Sequence, residues 1–152
     1  MAPLSREHHD GLLFVWKLRR GMVNGTDLQI LAAFCSWYLK NHLHEHFDSE
    51  ETLLLPYLEE KDEHRLNLLK EHEEIRKIIK SLDEQPAIDK VVQLGNLLEK
   101  HIRFEERTLF PYLEKILFPA QLQHVYEHLT DEPACSVEWK PEFWLNKFNQ
   151  DK

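Results

Sequence analysis

With 152 residues, 42% of them hydrophobic, the chain is long enough to bury one sizeable core without disulfides or other staples. A formal charge of −8 leaves no basic stripe to release counterions, which excludes nucleic acid and anionic membrane surfaces as partners. Four glycines in the whole chain, and long runs of Leu, Glu, Lys and Ile, favour helix over sheet.

The two cysteines, Cys35 and Cys135, stand alone without CxxC spacing, so neither a thiolate metal site nor a disulfide framework is signalled. The opening MAPLSREHHDG lacks a basic stretch followed by an apolar one, and no run of about eighteen apolar residues occurs. The expectation is a soluble, cytoplasmic protein with no membrane-spanning segment.

In chain order, Ser5 can cap a first helix reaching Met22, closed by Gly21 and the Asn24-Gly25 pair. Leu4, Leu12, Val15, Leu18 and Met22 fall on one side of its wheel, with His8 inside that arc and His9 at its edge. Thr26 or Asp27 caps a long second helix through Leu28, Leu31, Phe34, Tyr38, His42, His46 and Glu50 to about Glu60, kinked or interrupted at Pro56. A third helix spans about Asp62 to Leu82 and buries Leu68, Leu69, His72, Ile75 and Ile79. After DEQPAID, Asp89 can cap a fourth helix through Leu94, Leu98, His101, Glu105 and Leu109, where Pro111 repeats the role of Pro56. Four amphipathic helices on short loops predict an all-α, antiparallel up-down four-helix bundle over residues 1–118. Residues 119–152 are expected to add a short helix at about Gln121 to Leu129 and a tail. That tail, holding Trp139, Phe143, Trp144 and Phe148, should dock on the bundle or on a second copy of the chain, making a homo-oligomer.

The chemistry lies in an internal repeat. Residues 46–60, HFDSEETLLLPYLEE, align without a gap on residues 101–115, HIRFEERTLFPYLEK. Each copy places a His and a Glu four apart, one turn along one helix face, which is half of a first-row metal site. The other two helices repeat as well, since REH at 6–8 matches KEH at 70–72. Six side chains thus point inward as candidate metal ligands: His8, His46, Glu50, His72, His101 and Glu105. Bundle cores build di-metal sites in this way, and buried carboxylates beside imidazoles call for cations to neutralise them. The donors suit iron, manganese or zinc, with iron the first choice. Each residue also has a blander reading: a lone His on an apolar face is commonly a hydrogen-bonded core histidine, and one His-xxx-Glu pair is commonly solvated. Duplication of the whole pattern argues against coincidence. His9 is the alternative to His8, and His42 a further candidate, although core packing also accounts for it. Glu51 and Glu106 read as partners of the ligands. His44, His64 and His124 are expected on the surface, where His124 and His128 form a spaced pair.

On these residues the chain resembles the hemerythrin-like, HHE cation-binding family over about residues 4–118. The resemblance is carried by REH, HFDSEETLLLPYLE, KEHEEI and HIRFEERTLFPYLE. It implies two irons bridged by Glu50 and Glu105 and by an oxo or hydroxo group. His8, His46, His72 and His101 would be terminal ligands, with a place for O2, NO or another small ligand. Oxygen-carrying members have a fifth histidine one turn after the third-helix His, where this chain has Arg76, and an Asp in the closing unit, where it has Glu105. Three functions stay open: binding or sensing of a diatomic; a di-iron oxidoreductase, peroxidase-like or repairing iron–sulfur clusters; and a structural interaction module. A ferritin-like oxidase fits less well, since those bundles use more Glu and place it before His.

Overall fold

The computed structural model describes residues 4–130 and 139–145, with side chains from residue 9 to 129 and from 139 to 145. Five helices and no strand occur among them. Helix α1 is Leu4–Val23. It stops because Gly25 takes φ 71°, which lets Thr26 donate to Gly21 and Gly25 to Met22 and so satisfies two of the last carbonyls.

Helix α2 covers residues 28–57 and begins at Asp27, whose carboxylate accepts from the Gln29 amide at 2.8 Å. It contains a π-helical turn at Leu39–Leu43 and closes in a 3-10 turn, Leu55–Tyr57, around Pro56. Asp62 caps α3, Glu63–Glu84, in the same manner through the His64 amide. Helix α4 covers residues 88–116. Its cap is not Asp89 as the sequence suggested. Ala87 flanks the helix in extended backbone with no side-chain cap, and Asp89 sits inside the first turn, where its charge favours the helix N-terminus. Helix α5 is Pro119–Thr130.

The two prolines of the repeat also behave differently. Pro56 belongs to the turn that ends α2, whereas α4 passes through Pro111 and runs on to Ile116. The reason is a π-helical turn, Glu105–Leu109, just before Pro111. Proline cannot donate to the carbonyl four residues back, and the wider turn absorbs the misfit by letting Phe110 donate to Glu105 instead.

Helix α1 packs on α4, α4 on α3 and α3 on α2, while Phe14 and Tyr38 stack at 3.9 Å to bring α1 against α2. This closed ring of helices encloses two apolar clusters. One holds Phe14, Leu18, Leu31, Phe34, Phe47, Ile75, Leu98 and Ile102; the other holds Leu54, Leu68, Leu109, Leu113 and, from α5, Val125 and Leu129. Along every helix that crosses it, the boundary between the clusters carries polar residues: Glu50 between Phe47 and Leu54, His72 between Leu68 and Ile75, His101 and Glu105 between Leu98 and Leu109.

Within the tail, residues 139–145 dock on the bundle. Phe143 lies edge-on to Phe34 at 4.9 Å, Lys17 stands 4.2 Å over Trp144, and the Asn24 amide donates to the carbonyls of Phe143 and Leu145. Phe148 lies outside the described residues. No helix among the described residues is long and apolar enough to cross a membrane.

Candidate metal centre

Glu50, His72, His101 and Glu105 form one polar layer sealed on both sides. Glu50, His72 and Glu105 are wholly buried and His101 is 1% exposed. Their ligand atoms all lie within 4.8 Å of one another. The His-xxx-Glu spacing does this work locally: on α4, His101 Nε2 is 2.6 Å from Glu105 Oε1, and on α2, His46 Nε2 is 3.2 Å from Glu50 Oε1. Helix α3 inserts His72 between them, with Nε2 3.3 Å from that same Glu50 oxygen.

The far sides of the rings set their tautomers. His72 Nδ1 lies 2.9 Å from Glu51 Oε2, and His101 Nδ1 lies 2.9 Å from Glu71 Oε1. A carboxylate oxygen only accepts, so each Nδ1 carries the hydrogen and each Nε2 is turned to the centre. Burial, helped by the neighbouring His101, pushes His72 down to about 2, so its ring is neutral. Its Nε2 then presents a lone pair to a Glu50 oxygen 3.3 Å away, and it has no hydrogen-bond partner among the described residues. Two acceptors facing each other in a dry interior is an unfavourable arrangement that a cation between them reverses. The donors therefore fit a metal ion. His101 behaves differently: burial opposes its charge, but Glu105 and Glu71 overcome this and hold it up at about 9.

A profile of the hemerythrin HHE cation binding domain matches residues 3–113. The chain belongs to the hemerythrin HHE cation-binding family. No curated protein and no solved structure matches it. The family's cation-binding character agrees with the buried His and Glu layer, and the protein is a metal-binding one.

Of the six ligands expected in this hemerythrin-like chain, Glu50, His72, His101 and Glu105 come together, and His46, with 14% of its side chain exposed, adjoins them through Glu50. The His8 side chain lies outside the described residues, and the His9 side chain is exposed. His42 stays out of the layer. It occupies the π-helical turn, which takes it out of phase with His46, and it stacks on Tyr38 at 4.8 Å with Trp37 edge-on at 5.4 Å. Glu51 does support a ligand, whereas Glu106 is on the surface beside Arg103 at 3.3 Å. Glu71, the residue adjoining His72, was not singled out from the sequence. The signal lay in the KEH triplet, whose Glu points across to the next helix rather than to its own. His44 and His124 are exposed, but His64 is half-buried, stacked on Tyr112 at 4.0 Å. His124 and His128 adjoin on the surface with their rings tilted and their centroids 4.0 Å apart.

Phe47 closes one side of the layer, stacked on the His72 ring at 3.9 Å. Beyond it Arg76 lies 5.3 Å over Phe47 and donates from Nη2 to Glu51 at 3.2 Å and to Asp48 at 3.4 Å. These contacts brace Glu51, which in turn fixes His72.

Proposed function

We propose that this is a non-haem di-iron protein that binds or senses O2 or a related diatomic such as NO. The observation that carries the reading is the neutral His72 Nε2 facing the Glu50 carboxylate in a sealed interior, with a second His and Glu, His101 and Glu105, in the same layer. In this reading Glu50 and Glu105 would serve both metals, and His8, His46, His72 and His101 would complete the ligand set. The four rods run alternately up and down, because connections at residues 24–27, 58–62 and 85–87 are too short to recross the bundle. Residues 1–118 are the metal-holding unit, and beyond them α5 and residues 139–145 pack on it.

Iron in this setting supplies reversible one-electron chemistry toward a diatomic. The chain's own residues bind and orient. Glu51 and Glu71 hold the imidazoles in the metal-facing tautomer, and Phe47, Leu54 and Leu109 keep water out.

Anaerobic purification, iron quantification and optical spectra under nitrogen and in air test the proposal. About two irons per chain and a charge-transfer band appearing in air are expected. Less than about one iron per chain after reconstitution, with no such band, sinks it.

One observation favours an oxidoreductase instead. Arg76 stands one turn after His72 and is committed to Glu51 and Asp48, so it gives the metals no further ligand and leaves coordination positions open for turnover. Steady-state consumption of peroxide or nitric oxide would select that reading, and stoichiometric binding without turnover the first.

A further inference from the structure

The outer face of α1 carries an apolar stripe exposed to solvent. His9, Leu13, Trp16, Arg20 and Val23 recur at steps of four and three, the spacing of a coiled-coil seam, on the side of the helix opposite the buried Phe14, Val15 and Leu18. Leu13 is 40% exposed, Trp16 49% and Val23 74%. Ile88 and Val92, also exposed, lie on α4, the helix packed beside α1. A row of exposed large apolar side chains on one face marks an interaction surface.

The aromatic tail leaves this face open. Residues 139–145 lie over Gly21 and Phe34, on the flank of α1 toward α2, so their aromatic rings are packed on their own chain. Charge then selects the occupant. The chain carries −8, so two copies repel over most of their surfaces. Helix α1 departs from that balance, setting Asp10 against Lys17, Arg19 and Arg20. Arg19 is paired with Glu99 of its own chain at 2.8 Å. The other three charges make the face complementary to itself. Asp10 stands near the start of the stripe and Lys17 and Arg20 near its end; on the helical wheel Asp10 and Lys17 fall on the same side of it, with Arg20 close to its centre line. Two such helices packed antiparallel about a two-fold axis between Phe14 and Val15 set Leu13 of each against Trp16 of the other, and an antiparallel pair brings like sides together. Asp10 of each copy then comes within one turn of Lys17 and Arg20 of the other. A parallel pair would instead place like charges level with one another.

We propose that the protein forms a two-fold dimer through the outer face of α1, with Trp16 as the central anchor and Asp10, Lys17 and Arg20 fixing the antiparallel register. A Trp that loses water on pairing, ringed by charges, is the usual form of an interface anchor. None of these residues belongs to the buried His and Glu layer, so the dimer forms whether or not metal is bound.

Sedimentation equilibrium of the chelator-treated full chain tests it. A monomer–dimer equilibrium with a dissociation constant of about 1–100 µM is expected. Trp16→Glu, at a half-exposed position on which the fold does not depend, weakens it by more than about 30-fold. Leu66→Glu, at an exposed position on α3 across the bundle from α1, leaves it unchanged. Asp10→Arg and Arg20→Asp each weaken it by about tenfold, since the two-fold repeats every mismatch. An equal mixture of those two variants associates again as a heterodimer, an outcome that misfolding of either could not produce. A wild type that is monomeric at about 0.5 mM overturns the proposal and leaves the stripe to a partner of another sequence. A dimer indifferent to Trp16→Glu, or one lost through Leu66→Glu, overturns it by placing the second copy on a different face. Mixed charge variants that associate no more tightly than either alone overturn the antiparallel register and the proposal with it.

Discussion

His101 Nε2 sits 2.6 Å from Glu105 Oε1 with both side chains cut off from water, while 4.8 Å away the His72 ring, equally buried, is neutral. Two histidines of one layer thus differ in charge in the metal-free protein, His72 neutral and His101 cationic near neutral pH. Glu105 and Glu71 keep the proton on His101 against the cost of burial, and nothing comparable outweighs burial at His72.

Metal uptake should therefore compete with a proton at His101 and not at His72. With His101 held up at about 9, its ring must lose a proton before Nε2 can bind a cation. Below that pH the apparent affinity rises by about tenfold per pH unit for this one proton, and it levels off above about pH 9. Zinc titrations at several pH values in buffers of different ionisation enthalpy measure both the slope and the proton released. A pH-independent affinity between pH 7 and 9 would contradict the assignment.

The stability of the metal-free protein should peak near the ordinary histidine pKa of 6.5. His101 is raised, so from 6.5 to about 9 the folded state holds a proton the unfolded chain lacks, and stability falls as pH rises, by about 1.4 kcal/mol per unit. His72 is lowered to about 2, so below 6.5 the unfolded chain takes a proton the folded state refuses, and stability falls as pH drops with a similar slope. Half-buried His42, lowered by burial, adds to the acid limb. Urea midpoints of the chelator-treated protein from pH 5 to 9 read this directly. A steady rise across the whole range would show that His101 does not hold its proton.

The two buried carboxylates should respond unequally to replacement. Glu50→Leu leaves no orphaned charge at the neutral His72 and takes a carboxylate from His46, which is partly exposed, so it should cost the metal-free protein less than the same change at Glu105. Glu105→Leu strips a charged, buried His101 of one of its two carboxylates and should cost about 3–5 kcal/mol near neutral pH. Both variants lose bound metal. Denaturant melts of the apo proteins beside metal analysis separate the two effects, and equal destabilisation by both would refute the difference in charge state.

Much of this arrangement was legible in the chain. The helix stripes follow from the apolar spacing, and the repeated His-xxx-Glu brought Glu50 and Glu105 to one layer because residues four apart share a helix face. The exceptions come from backbone the pattern does not encode. The π-helical turn at Leu39–Leu43 shifts the phase of α2, so His42 leaves a face that an unbroken helix would have given it. A second π-helical turn lets α4 pass Pro111, although the same Pro-Tyr-Leu ends α2. Glu71 escapes a reading by spacing because its partner His101 lies on another helix, and Glu106, read as a partner of the ligands, faces Arg103 on its own helix instead.

The packing of the tail gives a last test, at Gly21. A Cβ added there would stand 2.7 Å from the Phe143 ring and 2.8 Å from Leu31 Cδ2, closer than real Cβ contacts come. In an exposed helix Gly→Ala would stabilise by about 1 kcal/mol. Here the steric term should win, and Gly21→Ala should destabilise by about 1–3 kcal/mol, since the ring is held edge-on to Phe34 and its backbone is tied down by Asn24. Phe143→Ala removes the nearer obstacle and should make the same glycine substitution less costly. A double-mutant cycle measured by urea denaturation should show coupling of at least about 0.5 kcal/mol between the two positions. Additive effects would mean that residues 139–145 do not hold Phe143 against α1 in solution.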